Sequence, residues 1–150
     1  MKLIKLLSVL MLVGAVSLAY AASEKRSGKL LDFQGNVELK IGSAEWTAAV
    51  KDTALTEGDM IRTKDNSWAT VELENAGTVE IKQNSQLKLA ELNVDKSTDS
   101  QKTLLDLALG EVLIKAEKLN SEKSKFEVKT PTSIVGVRGT TFSVAVEAVE

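Results

Sequence analysis

The sequence predicts an all-β protein: a solenoid-like or rolled sheet of about ten short strands between residues 31 and 147, with an ordinary β-sandwich as the alternative. Three observations predict it. Apolar and polar residues alternate with period two through most of the chain. Gly, Asn and Asp interrupt that alternation at close intervals, as short turns require. A hexapeptide of the form G-x-V-x-[LI]-K is also written three times, as GNVELK at 35–40, GTVEIK at 77–82 and GEVLIK at 110–115.

The elements follow in chain order. MKLIK is a short basic start, LLSVLMLVGAVSL is an apolar run, and Ala19 and Ala21 hold the small-residue positions of a cleavage site. Residues 1–21 therefore read as a secretory signal peptide cleaved after Ala21, too short for a span of about 20 apolar residues. No Cys follows the run, so lipid attachment there is excluded. Export to the periplasm or beyond is expected, with no stable membrane insertion after cleavage. Residues 22–32 form a polar N-terminal segment, of which 22–29 (ASEKRSGK) is expected to be loose, and a single β domain is expected over 33–147.

Within that domain, Val37, Leu39 and Ile41 share one side of a strand, against Asn36, Glu38 and Lys40. Ala69, Val71 and Leu73 lie opposite Trp68, Thr70 and Glu72. Val79 and Ile81, Leu87 and Leu89, Phe126 and Val128, and Phe142, Val144 and Val146 repeat the pattern. The stretch 103–119 carries a helical stripe as well. Gly110 in its middle costs a helix about 1 kcal/mol, and GEVLIK copies the two clean strands, so strand is the reading adopted. Each hexapeptide then reads as a corner plus a strand: Gly35, Gly77 or Gly110 takes a positive φ, and the next residues bury an inward pair. Such units are expected to stack. Leu113 stands where the other copies carry Glu38 and Glu80, which places 111–116 centrally and 36–41 nearer an end.

Composition limits the chemistry. The chain has no Cys and no His, which removes disulfides, Cys/His metal sites, thiol nucleophiles and imidazole acid–base catalysis. Nineteen basic residues stand against 21 acidic ones, and Lys2 and Lys5 leave with the leader. An acidic surface does not favour nucleic acid. The loop Asp95–Ser100 lacks the ligand density of a calcium loop and reads as a solvated hairpin. No cofactor, metal site or catalytic residue is expected.

The order of several pieces carries a family resemblance. AEWTAAV (44–50), LTEGDMIRTKDNSWATVEL (55–73), LALGEVLIK (107–115) and FEVKTPTSIVGVRGTTFSV (126–144) together resemble the FecR domain over about residues 33–146. The resemblance implies an extracytoplasmic all-β domain without known catalysis. In the best-known members it follows a cytoplasmic anti-sigma segment and one membrane span, and receives a signal from an outer-membrane receptor by protein contact. Here an export leader stands in that place, so a free-standing exported form is expected rather than an anti-sigma factor.

Structural roles are assigned to most of the singled-out residues. Asp59 caps backbone N–H groups in a turn that Gly58 makes possible, leading to Arg62 and Thr63. Thr130 and Pro131 fix the corner after KFEVK. Gly136 and Gly139 flank Val137-Arg138 in a tight bend that leads to Thr140 and Phe142, and Arg138 ties that bend to neighbouring backbone or to an acid. Four residues are candidate contacts for a partner or ligand: Trp68, Arg138, Trp46 and Arg62. Trp68, on a polar-facing row, is the better placed of the two tryptophans. The expected function is non-enzymatic: a protein-interaction or ligand-sensing module whose partner is another envelope protein, linked to signal transduction. The rivals are a glycan- or cell-wall-binding module and a structural envelope protein that associates with itself through its end strands.

Overall fold

The computed structural model describes residues 24–119 and 121–148; the leader and cleavage site expected from the sequence lie outside them. Among the described residues every regular element is a strand. The strands are β1 (Glu24–Lys25), β2 (Gly28–Gln34), β3 (Val37–Lys40), β4 (Thr47–Ala48), β5 (Ala54–Leu55), β6 (Met60–Thr63) and β7 (Trp68–Leu73). They continue with β8 (Gly77–Ile81), β9 (Gln86–Asp95), β10 (Ser100–Ala116), β11 (Lys125–Lys129), β12 (Ile134–Val137) and β13 (Thr141–Val146). Together they form one hydrogen-bonded sheet, curled strongly into an open half-barrel. The rolled form of the expected fold is therefore the one observed, and 103–116 is strand.

The roll has a simple plan. Four long segments, 28–40, 60–73, 77–95 and Ser100–Ala116, each run through both halves of the sheet, bending once on the way. In one half β3, β6, β9 and the start of β10 lie side by side; in the other, β2, β7, β8 and the end of β10 keep the same order. Neighbours are antiparallel throughout, so the body is a meander of bent strands rather than a stack of parallel rungs. Among the described residues the one parallel ladder joins β10 to β11. Of the hexapeptides, 77–82 and 110–115 pair directly, with Gly77 opposite Ala116 and Ile81 opposite Val112. The first copy lies in the other half. As expected, 111–115 is central, flanked by β8 and β13, and β3 lies near an end.

The four bends fall on one seam. Gly35, Asn66, Asn84 and Gly110 have φ of 81°, 52°, 51° and 92°, the left-handed region that Gly and Asn tolerate best. The two Asn bends share a local sequence, KDNS at 64–67 and KQNS at 82–85, and each ends in a buried Ser that serves the facing Gly bend. Ser67 Oγ accepts from the Asn36 N–H at 2.8 Å, and Ser85 Oγ accepts from the Glu111 N–H at 3.0 Å. Thr63, buried beside them, bridges the middle: its hydroxyl donates to the Lys82 carbonyl and accepts from the Ser85 N–H. Thus the seam keeps its backbone groups bonded while the strands turn.

The core fills the inside of the roll. The inward positions read from alternation are buried: Val37, Leu39, Ala69, Val71, Leu73, Val79, Ile81, Leu87, Leu89, Phe126 and Val128. Each fully buried Val, Leu, Ile or Phe of this kind contributes about 1.5–3 kcal/mol. Three expectations need correction. Ile41 is 41% exposed, because β3 ends at Lys40 and the chain turns away. Gly136 makes no close approach: it lies within β12 opposite Glu127 with open space beside it, and the bend belongs to Gly139 at φ 51°. The stretch 24–29 is not loose. It contains β1 and the start of β2, and between them Arg26 is 4% exposed.

Arg26 is the main surprise of the fold. Its guanidinium donates to the carbonyls of Asn93, Glu74 and Lys102 at 3.1, 2.8 and 2.9 Å and to Thr103 Oγ1. One planar fork thereby ties the N-terminal strand to β9, β10 and the β7–β8 turn. Burial pulls its pKa down and the nearby Glu74 carboxylate opposes that pull.

Candidate recognition edge

A curled sheet that does not close leaves edges, and these edges differ. β1, β4 and β5 have two residues each, and β12 has four. Short edge strands are one device by which proteins avoid unwanted strand pairing. β13 is different. It has six residues, pairs on one side with β10, and carries no charge and no proline from Thr141 to Val146.

Its register decides which groups are on offer. The Ala116 N–H donates to the Thr140 carbonyl at 3.1 Å, and 116 is opposite 140 in the ladder that pairs 115 with 141. Antiparallel alternation therefore turns the peptide groups of Thr140, Phe142, Val144 and Val146 toward β10. Those of Thr141, Ser143 and Ala145 face the open edge. On the inward side Val144 is buried and Phe142 and Val146 pack against the core. Beside them lies a largely apolar groove, lined by Leu109, Pro131, Val135, Val144 and Val146, with Thr132 and Glu147 also at its walls. The wall of that groove is the 130–133 corner, where the Thr130 N–H donates to the Ser133 carbonyl at 2.8 Å. Thr130 thus closes the corner after β11, and Pro131 lies within it.

The four candidate contact residues fall in three separate places. Arg62 and Trp46 meet on the outer face of the β3–β6 half. The guanidinium carbon lies 4.2 Å from the Trp46 ring centroid, and Nε donates to Glu38. That bond holds the Glu38 carboxyl below its ordinary pKa. Trp68 lies on the outer face of the other half, 37% exposed, with its Nε1 donating to Gln34 Oε1 at 3.2 Å. A shallow concavity beside it is lined by Thr70, Glu80 and Lys82. Glu80 there accepts from Lys82 and Lys115 at 3.1 and 3.0 Å, and its pKa is lowered by Lys115 first and Lys82 second. Arg138 sits in the connection to β13, exposed, and donates to the Glu122 carbonyl at 3.1 Å.

The turn at Gly58-Asp59 is as expected. Gly58 has φ 97°, and the buried Asp59 carboxylate accepts from the N–H groups of Gly42 and Thr56, both at 2.8 Å. The edge residues Thr141, Ser143 and Ala145 were not among the sequence candidates. Their signal was present as a charge-free alternating run, TTFSVAV. What the run could not show is that, among the described residues, β13 has one neighbour instead of two.

A family model described as FecR protein matches residues 59–149. The match begins at the Asp59 turn and covers β6 to β13, whereas β1–β5 precede it and complete the same sheet. No curated protein and no solved structure matches the chain.

Proposed function

This chain belongs to the FecR family, and on that premise we propose that it is a non-enzymatic recognition module of the cell envelope that takes up an extended segment of another envelope protein along the open edge of β13. The family is a regulatory one, known for signal sensing in the envelope. The observation that carries the reading is the edge itself: six residues, three outward peptide units and no charge, beside an apolar groove. Strand addition draws affinity from backbone hydrogen bonds and specificity from alternate side chains that enter such a groove. Binding of that kind needs neither metal nor nucleophile.

A photo-cross-linking residue at position 143, introduced in living cells, tests this. We expect capture of a defined envelope protein through an extended segment, no capture from position 88 on another face, and loss of capture on Ala145→Pro. That proline removes an outward N–H and leaves the ladder to β10 intact. Equal capture from both positions overturns the reading, as does capture that Ala145→Pro leaves unchanged.

Trp68 supports a second reading, glycan recognition, because an exposed indole beside Thr70, Glu80 and Lys82 offers a stacking surface and hydroxyl partners. Titration of a Trp46→Phe variant with peptidoglycan fragments, followed by indole fluorescence, should show saturable change if it holds. A flat titration removes it.

A further inference from the structure

We propose that, until a partner arrives, the open edge of β13 is covered by β13 of a second copy, antiparallel about a two-fold axis at Ser143, so that the partner's segment must displace a copy of the protein. This inference rests on the reading of β13 as the recognition edge and adds how that edge is regulated.

The strand is complementary to itself in three ways. First, the outward peptide units belong to Thr141, Ser143 and Ala145. Pairing centred on Ser143 sets Thr141 opposite Ala145 and Ser143 opposite Ser143, so every outward unit meets an outward unit and exchanges both its bonds. Second, that register sets Phe142 of one copy opposite Val144 of the other on the inward face and continues the apolar row. The outer row is Thr, Ser and Ala, too small to obstruct approach. Third, the charges agree. Residues 139–146 carry none, Arg138 stands at one end and Glu147 at the other, and both are exposed. Antiparallel pairing sets Glu147 across from Gly139 and beside Arg138 of the second copy. Parallel pairing would set Glu147 against Glu147. Within a chain of net negative charge this arrangement favours the two-fold form.

A contact of one strand pair is smaller than a standard stable interface, which buries about 1,200–2,000 Å². The dimer is therefore weak and displaceable, as a covered sensing edge needs to be.

The test uses the full chain purified from the envelope. Sedimentation over a concentration series should show a reversible monomer–dimer equilibrium that Ser143→Pro abolishes. Arg138→Glu and Glu147→Arg should each weaken it, and the double charge reversal should restore it. The native chain has no Cys, so a single Ser143→Cys reports on the axis. Opposed Cα atoms about 5.5 Å apart suit a disulfide, so this variant should oxidise to a covalent dimer, and Glu72→Cys on the outer face should not. The oxidised dimer should lose the envelope capture described above and regain it on reduction.

A wild-type chain that stays monomeric throughout overturns the dimer and leaves the capture experiment to judge the recognition edge separately. A dimer that survives Ser143→Pro, or a Ser143→Cys chain that cross-links no faster than Glu72→Cys, also overturns it. Undiminished capture by the oxidised dimer overturns displacement.

Discussion

Ser85 stands directly against Gly110: a Cβ built on that glycine would lie 2.1 Å from the Ser85 hydroxyl oxygen and 2.5 Å from its Cα. The pair is one end of the seam at which all four long strands change halves, and Gly35 stands against Ser67 in the same manner at the other end. Closeness of this kind lets a serine hydroxyl reach the next N–H along the facing strand, so the bends are tied to one another rather than being separate turns.

Gly110→Ala should therefore be among the most damaging single-methyl changes in the chain. It forces a side chain into a left-handed conformation and into backbone at once, and a loss of about 3 kcal/mol is expected. Gly42→Ala is the matched control: φ is 58° but nothing lies within 4 Å of the added carbon, so about 1 kcal/mol is expected there. Urea midpoints of the two variants make the comparison, and equal losses would show that the seam is not tight.

Removal of Arg26 should loosen the N-terminal strand from β9 and β10. Arg26→Met leaves the carbonyls of Glu74, Asn93 and Lys102 without their charged donor, at a cost of about 3 kcal/mol. Lysine should not restore it, because a single ammonium lacks the planar fork that reaches these acceptors together. Hydrogen exchange should show protection lost first along Asn93–Val94 and Gln101–Thr103. Unchanged exchange in those segments would refute the tie.

Stability should be nearly flat from pH 6 to 8 and should fall in acid. The chain has no histidine. Glu38 and Glu80 have folded-state pKa values below the ordinary 4.5, the first through Arg62 and the second through Lys115 and Lys82; Asp95 lies below 3.8 through Ser97. Each is lowered on folding, so its contribution is complete above the unfolded value and is lost as pH falls through the folded one. Denaturation midpoints measured at intervals from pH 8 to 3 should begin to drop below about 4.5. A transition centred near pH 6.5 would contradict this assignment.

Much of the fold was legible because its signals are local. Alternation identifies which side of a strand is inward wherever the two faces differ in solvent, and it placed Val71, Ile81 and Val128 correctly. The Asp59 turn and the Thr130 corner were readable for the same reason, since each is closed by neighbours in sequence. Arg26 was not legible because the polar octapeptide 22–29 looks solvated when read alone. Its acceptors come from residues 74, 93, 102 and 103, far along the chain. Ile41 failed in the opposite direction, since alternation ran one residue past Lys40, the last paired position, into the turn that Gly42 makes at φ 58°.

By itself, then, the order of residues determined an all-β body, most of its inward rows and the corners at Gly35, Gly58, Gly77 and Gly110, all of which follow from backbone sterics and solvent preference within a few residues. Tertiary structure alone decided that the bends at Gly35, Asn66, Asn84 and Gly110 align in one seam, that Arg26 lies inside, and that β13 keeps an open side among the described residues. Those outcomes depend on which strands become neighbours, and that is settled by contacts between segments tens of residues apart.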